Sequence, residues 1–122
     1  MPVRNLLRLN AIFSGVSGLA LALLNRPLAE VFGISRGIVA TIGVALIVYA
    51  ADLSITAVRR GLRRSIVLMF ATADAAWVLG GLAVLLAWPD TLSIAGRLAL
   101  AATIVPVAAF AALQFRGARR LT

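Results

Sequence analysis

Four long runs of apolar residues, 6–24, 37–58, 65–88 and 98–115, alternate along the chain with short stretches that hold nearly all of its charge. The runs are 18 to 24 residues long. At about 1.5 Å of rise per residue, helices of that length reach roughly 27 to 36 Å, against a hydrocarbon core about 30 Å thick. Each run is therefore long enough to span a bilayer. Helix is the only state that satisfies the backbone of such a run in lipid, because open strands leave unpaired groups and four runs cannot close a barrel. The pattern predicts an all-α chain: one transmembrane domain over 1–122, built as a four-helix bundle from two helical hairpins.

The connections between the runs of each hairpin share a plan. After Asn25 and Arg26, Pro27 opens a segment in which Leu28, Val31 and Phe32 fall at helical spacing before Gly33, which predicts one or two helical turns lying at the membrane interface. The second connection repeats the order, with Pro89, Asp90, Thr91 and Leu92 leading to Gly96. The run GLALALL from Gly18 matches GLAVLLA from Gly81, and Tyr49-Ala50-Ala51 matches Phe110-Ala111-Ala112. A duplicated hairpin would give both matches, and so would chance in a chain this rich in Ala and Leu.

Composition sharpens the membrane reading. The chain is 62% hydrophobic with a mean hydropathy of +1.04, more apolar surface than a soluble domain of 122 residues can bury. Its net charge of +8 comes from twelve arginines set against Glu30, Asp52, Asp74 and Asp90. Arg4, Arg8, Arg59, Arg60, Arg63, Arg64, Arg116, Arg119 and Arg120 fall on one side of the predicted spans, and only Arg26, Arg36 and Arg97 on the other. The positive-inside rule then places both termini and the RRGLRR loop in the cytoplasm, as expected of a multi-pass protein of a bacterial inner membrane, the all-Arg, Ala-rich usage suiting a GC-rich bacterial genome. A cleaved signal peptide is the rival reading of the first span, since Arg4 and Arg8 precede a run containing Ala20-Leu21-Ala22. That run continues through Leu23 and Leu24, which favours an uncleaved span. Arginines clustered between apolar runs read as topology signals rather than a nucleic-acid face, with Arg59, Arg60, Arg63 and Arg64 also suited to lipid head groups.

Chemistry is sparse. With no Cys and no His, disulfides, thiolate or imidazole metal sites and Cys or His catalysis are excluded. The acidic groups inside the spans are Asp52 and Asp74, expected to face the bundle interior, protonated or paired. Thr41, Ala45, Tyr49, Asp52 and Thr56 form one stripe on the second span; Asp74, Trp77, Gly81, Val84 and Trp88 form another on the third. Counted inward from the arginines, Tyr49 and Asp74 lie at similar depth, so the hydroxyl is placed to donate to the carboxyl group. Asn10, Ser14 and Ser17 give the first span a polar stripe, interleaved with the small residues Ser14, Gly18 and Ala22. Pro106 interrupts the fourth span and should free the carbonyl of Ala102 as an acceptor. The predicted intramembrane cluster is Asn10, Ser14, Tyr49, Asp52, Asp74 and Trp77. It reads either as a functional site or as hydrogen-bonded glue between helices. No nucleophile with an adjacent base and no phosphate-binding loop accompanies it, so neither an enzyme nor a bound cofactor is expected.

The short Arg-bearing N-terminal segment, FSGVSGL in the first span, the Pro-to-Gly connection and ADAAWVLGG in the third span resemble small four-span bacterial inner-membrane proteins of unassigned function. By general build the chain is also similar to the DoxX-like group. The small multidrug transporters share its length and span count, but their pattern requires a Glu in the first span, where this chain offers Asn10. The leading expectation is a non-catalytic accessory or interaction subunit of a membrane complex or homo-oligomer, in contact with lipid and with no nucleic-acid partner. The alternative is a small dimeric proton-linked transporter or ligand-binding membrane protein using Asp52 and Asp74.

Overall fold

The computed structural model describes residues 2–121, in which each apolar run is one long helix: α1 (Val3–Leu23), α3 (Arg36–Val58), α4 (Arg64–Ala87) and α5 (Ile94–Ala118). A short helix, α2 (Asn25–Phe32), joins α1 to α3, and a 3-10 turn at Pro89–Thr91 joins α4 to α5. All four long helices are long and apolar enough to cross a membrane, and only 17% to 33% of the most apolar stretch of each is buried within the bundle. Ile12, Val16, Val48, Ile55, Leu79 and Val105 are among the large apolar side chains left facing outward. An outer surface of that kind is stable in lipid, so this is an all-α, multi-pass membrane bundle.

Local chemistry sets the helix ends. Ser35 and Ser93 cap α3 and α5, each hydroxyl accepting from the backbone N–H three residues on, Ile38 at 3.2 Å and Gly96 at 3.1 Å. Gly33 ends α2 with φ +73°, a left-handed conformation that costs a glycine nothing. Helix α2 matches the predicted helical turns, although it begins at Asn25, two residues ahead of Pro27. The second connection departs from that plan: it forms only the 3-10 turn, and Gly96 lies inside α5 instead of ending a helix. Helix α5 also begins four residues earlier and ends three residues later than the predicted span of 98–115. The hydropathy pattern breaks at Arg97 and Arg116, but an arginine at the interface does not stop a helix. Arg97 Nε donates to Pro89 O at 2.7 Å, and its guanidinium pairs with Asp90 at 3.1 Å.

Arginines also fix which ends lie together. Arg4 on α1 donates to Ala57 O near the end of α3 at 2.9 Å. Arg64 at the start of α4 donates to Ala118 O and Arg119 O at the end of α5, at 3.0 and 2.8 Å. The start of α1, the Arg59–Arg64 turn and the end of α5 therefore share one end of the bundle. At the other end Ser93 N donates to Phe32 O at 2.9 Å, docking α2 against the start of α5.

The helices pack most closely as two hairpins, α1 with α3 and α4 with α5. A Cβ on Gly18 would lie 2.8 Å from Gly43 O, and one on Gly43 would lie 2.6 Å from Ala22 N, so only glycine permits the α1–α3 approach. In the other hairpin Gly81 meets Ile104 and Leu100 of α5. Across the hairpins, Leu7, Ala11, Leu53, Ala57 and Phe70 form an apolar core toward the arginine-rich end, and Phe13 meets Phe110 with ring centroids 6.0 Å apart. Pro106 leaves α5 continuous.

Candidate functional site

Just inward of the apolar core, one polar network draws a side chain from every long helix. Asn10 on α1 sends one amide hydrogen to Asp74 Oδ2 on α4 at 2.7 Å and the other to Gln114 Oε1 on α5 at 3.0 Å. Gln114 Nε2 donates in turn to the same Asp74 oxygen at 2.8 Å, closing a three-membered ring of side chains. The other carboxyl oxygen accepts from Tyr49 of α3 at 2.9 Å. Tyr49 has a single hydroxyl hydrogen and also lies 3.1 Å from Phe70 O, so that hydrogen is shared between two acceptors. Ser14 completes the set by donating to Asn10 Oδ1 at 3.2 Å.

Position along the helices explains why these groups meet. Asn10 and Ser14 are one turn apart on the buried face of α1, in line with Leu7 and Gly18. On α5 the buried face is Val107, Ala111, Gln114 and Ala118, spaced by four, three and four residues. On α4, Asp74 follows Phe70 by one turn and precedes Gly81 by two. Asp74 is 5% exposed and Gln114 is fully buried. Buried amides and carboxyls without partners are costly in a low-dielectric interior, and here every buried side-chain nitrogen and oxygen among the described residues has one.

Four of the six residues expected in the cluster, Asn10, Ser14, Tyr49 and Asp74, are brought together. Trp77 lies nearby but is occupied elsewhere, its indole N–H donating to Thr103 Oγ1 of α5 at 3.0 Å. Asp52 is not part of the network. It is exposed on the outside of α3, with no hydrogen bond or ion pair among the described residues. The buried face of α3 is the apolar one of Val39, Gly43, Ala50, Leu53 and Ala57, and the stripe running from Thr41 to Thr56 follows its margin. Along that margin Thr56 is buried, Tyr49 half-buried, and Thr41, Ala45 and Asp52 exposed. The α5 contribution is Gln114, not the Ala102 carbonyl, since Ala102 lies on the exposed face.

Gln114 escaped the sequence reading because it stands next to the end of an apolar run, where a polar residue reads as interfacial. It is the only glutamine in the chain, and its spacing from Val107 and Ala111 puts it on their face, a signal that was available. At the arginine-rich end, Arg59, Arg60, Arg63 and Arg64 are all exposed, and Arg64 also donates to the last carbonyls of α5.

Two clefts open at this end. One is lined by Arg63, Arg64, Ser65 and Leu68 and the other by Leu6, Leu113, Arg116 and Arg120; neither reaches Asp74. Among the described residues no group of three acidic side chains is placed to hold a metal ion. The arrangement ties α1, α3 and α5 to one carboxyl group on α4. No family model matches the chain, and no match is found among curated proteins or solved structures.

Proposed function

We propose that this chain is a non-catalytic membrane protein whose bundle acts by association, as an accessory or interaction subunit of a homo-oligomer or a larger membrane complex. The observation that carries this reading is the closed network around Asp74. A carboxyl group that moved protons or bound cargo would need a path to solvent, and this one is enclosed by Asn10, Tyr49 and Gln114. The transport alternative further requires Asp52 and Asp74 to act as a pair, and Asp52 is exposed on the outside of α3 whereas Asp74 is buried inside the bundle on α4. The surface left to do work is the outer one, apolar along every long helix.

The orientation that best suits the charge pattern has the arginine-rich end in the cytoplasm of a bacterial cell and the chain in its inner membrane. The clustering of the Arg4, Arg59–Arg64 and Arg119 segments at one end supports it. Arg59, Arg60 and Arg63 are then placed at the level of anionic head groups. Purification from native membranes in mild detergent, with mass and co-purifying proteins recorded, tests the association. A species larger than one chain is expected; a strictly monomeric protein without a partner would remove the proposal.

A further inference from the structure

Asp52 and Arg8 carry opposite charges, both face outward, and neither meets the other within the bundle. Their depth matches. Asp52 stands six residues before the end of α3, and Arg8 five residues after the start of α1, so each lies about 8 to 9 Å in from the same end. The hydrogen bond from Arg4 to Ala57 O keeps those two helix ends level. Among the described residues Arg8 makes one side-chain hydrogen bond, exposed and 3.3 Å long, to Asn5 Oδ1 one turn away.

The two residues sit on opposite flanks of α3. Arg8 follows Arg4 by one turn and precedes Gly15 by two; Arg4 donates to Ala57 O of α3, and a Cβ on Gly15 would lie 3.5 Å from the Ala50 Cβ of α3. Arg8 therefore lies along the α3-facing edge of α1. Asp52 follows Tyr49, which reaches across to Phe70 O and Asp74 on α4, so Asp52 borders the α4 side of α3. Between the flanks the outward face of α3 presents Val44, Val48 and Ile55 at helical spacing, with the small Ala51 among them. A two-fold axis normal to the membrane exchanges left and right flanks, so it brings the Arg8 side of one protomer onto the Asp52 side of the other, twice.

We propose that the outward face of α3 is the contact surface for a second copy of this chain, closed by two reciprocal ion pairs between Asp52 and the partner subunit's Arg8. The inference rests on the reading that the bundle acts by association and names its partner. An outward carboxyl group and an outward guanidinium at the same membrane depth each require a counter-charge, and the two-fold arrangement supplies both from one sequence.

The chain has no Cys, so Val48→Cys introduces a unique thiol at the centre of this face. Oxidation of membranes holding V48C should yield a covalent dimer, while Leu79→Cys on the outer face of α4 should stay largely monomeric. Asp52→Asn, close in size and retaining every topology arginine, should lower V48C cross-linking by roughly tenfold, the loss expected for two weak ion pairs. Two V48C chains with tags of different mass, one also carrying Arg8→Asp and the other Asp52→Arg, should each cross-link poorly alone. Co-expressed, they should recover the mixed dimer to near the unmodified level, since one reciprocal pair is then the native one and the other is restored with its charges exchanged. Monomeric V48C, undiminished cross-linking in D52N, or no recovery in the mixed pair would overturn the proposal. A larger-than-monomer species in detergent together with no V48C dimer would overturn this interface alone, whereas a strictly monomeric chain would overturn the association reading as well.

Discussion

Tyr49 of α3 and Asp74 of α4 meet at 2.9 Å across the join between the two hairpins, and the same hydroxyl lies 3.1 Å from the backbone of Phe70 one turn away. The rings of Tyr49 and Phe70 pack edge to face, 5.7 Å between centroids. Polar and aromatic contact therefore reinforce each other where α3 and α4 otherwise touch little.

Asp74 accepts from three helices, and Tyr49 supplies only one of those bonds. Tyr49→Phe should accordingly cost little, about 0.6 to 1.7 kcal/mol, the range of single interhelical hydrogen bonds in membranes. Asp74→Ala leaves the donors of Asn10, Gln114 and Tyr49 without their shared acceptor and opens a cavity, so a loss of about 3 to 5 kcal/mol is expected. Reversible unfolding in mixed detergent micelles measures both. Equal losses in the two variants would show that Asp74 is not the hub.

Glycines separate into close-packed and free positions. Gly18→Ala places a Cβ against backbone atoms of Gly43 and Ile47, at 2.8 and 2.9 Å, and should destabilise the bundle by about 1 to 3 kcal/mol as α1 and α3 are forced apart. Nothing lies within 4 Å of a Cβ on Gly80, so Gly80→Ala should be neutral or stabilising by up to about 1 kcal/mol. The same unfolding measurement checks the pair, and a reversed ranking would contradict the helix packing described.

Arg64 satisfies two of the terminal carbonyls of α5. Arg64→Ala should loosen the last turn by about 1 kcal/mol for each lost hydrogen bond, giving roughly fivefold or faster amide exchange over residues 114–121. Exchange within α1 should be unchanged, as read by hydrogen–deuterium exchange with mass spectrometry. Uniform acceleration through the bundle would mean that Arg64 holds more than this end.

The four long helices, the short helix before Gly33 and the meeting of Tyr49 with Asp74 were all legible from residue spacing. Hydropathy counts apolar length directly, and two residues at equal depth on antiparallel helices need only the correct facing to touch. Facing was where the sequence misled. Spacing by three and four residues identifies a line on a helix but not whether lipid or protein covers it, so Asp52 and Thr56 fell on one predicted stripe although one is exposed and the other buried. The side of α3 that turns inward is set by glycine contact with α1, at Gly18 and Gly43, which no polar pattern encodes. Helix-end roles of Arg4 and Arg64 were hidden for a similar reason: an arginine that orients a chain in the membrane and one that caps a neighbouring helix look alike in sequence.

A dry Asp74 is the most direct point of test, and Asp90, outside the long helices, provides its internal control. Water-edited solid-state NMR of the carboxyl carbons, on protein labelled at Asp and reconstituted in lipid bilayers, reads how fast polarisation passes from water to each residue. Fast build-up is expected for the exposed Asp90 and slow build-up for the enclosed Asp74. A build-up at Asp74 as fast as at Asp90 would place water beside it and contradict the closed network.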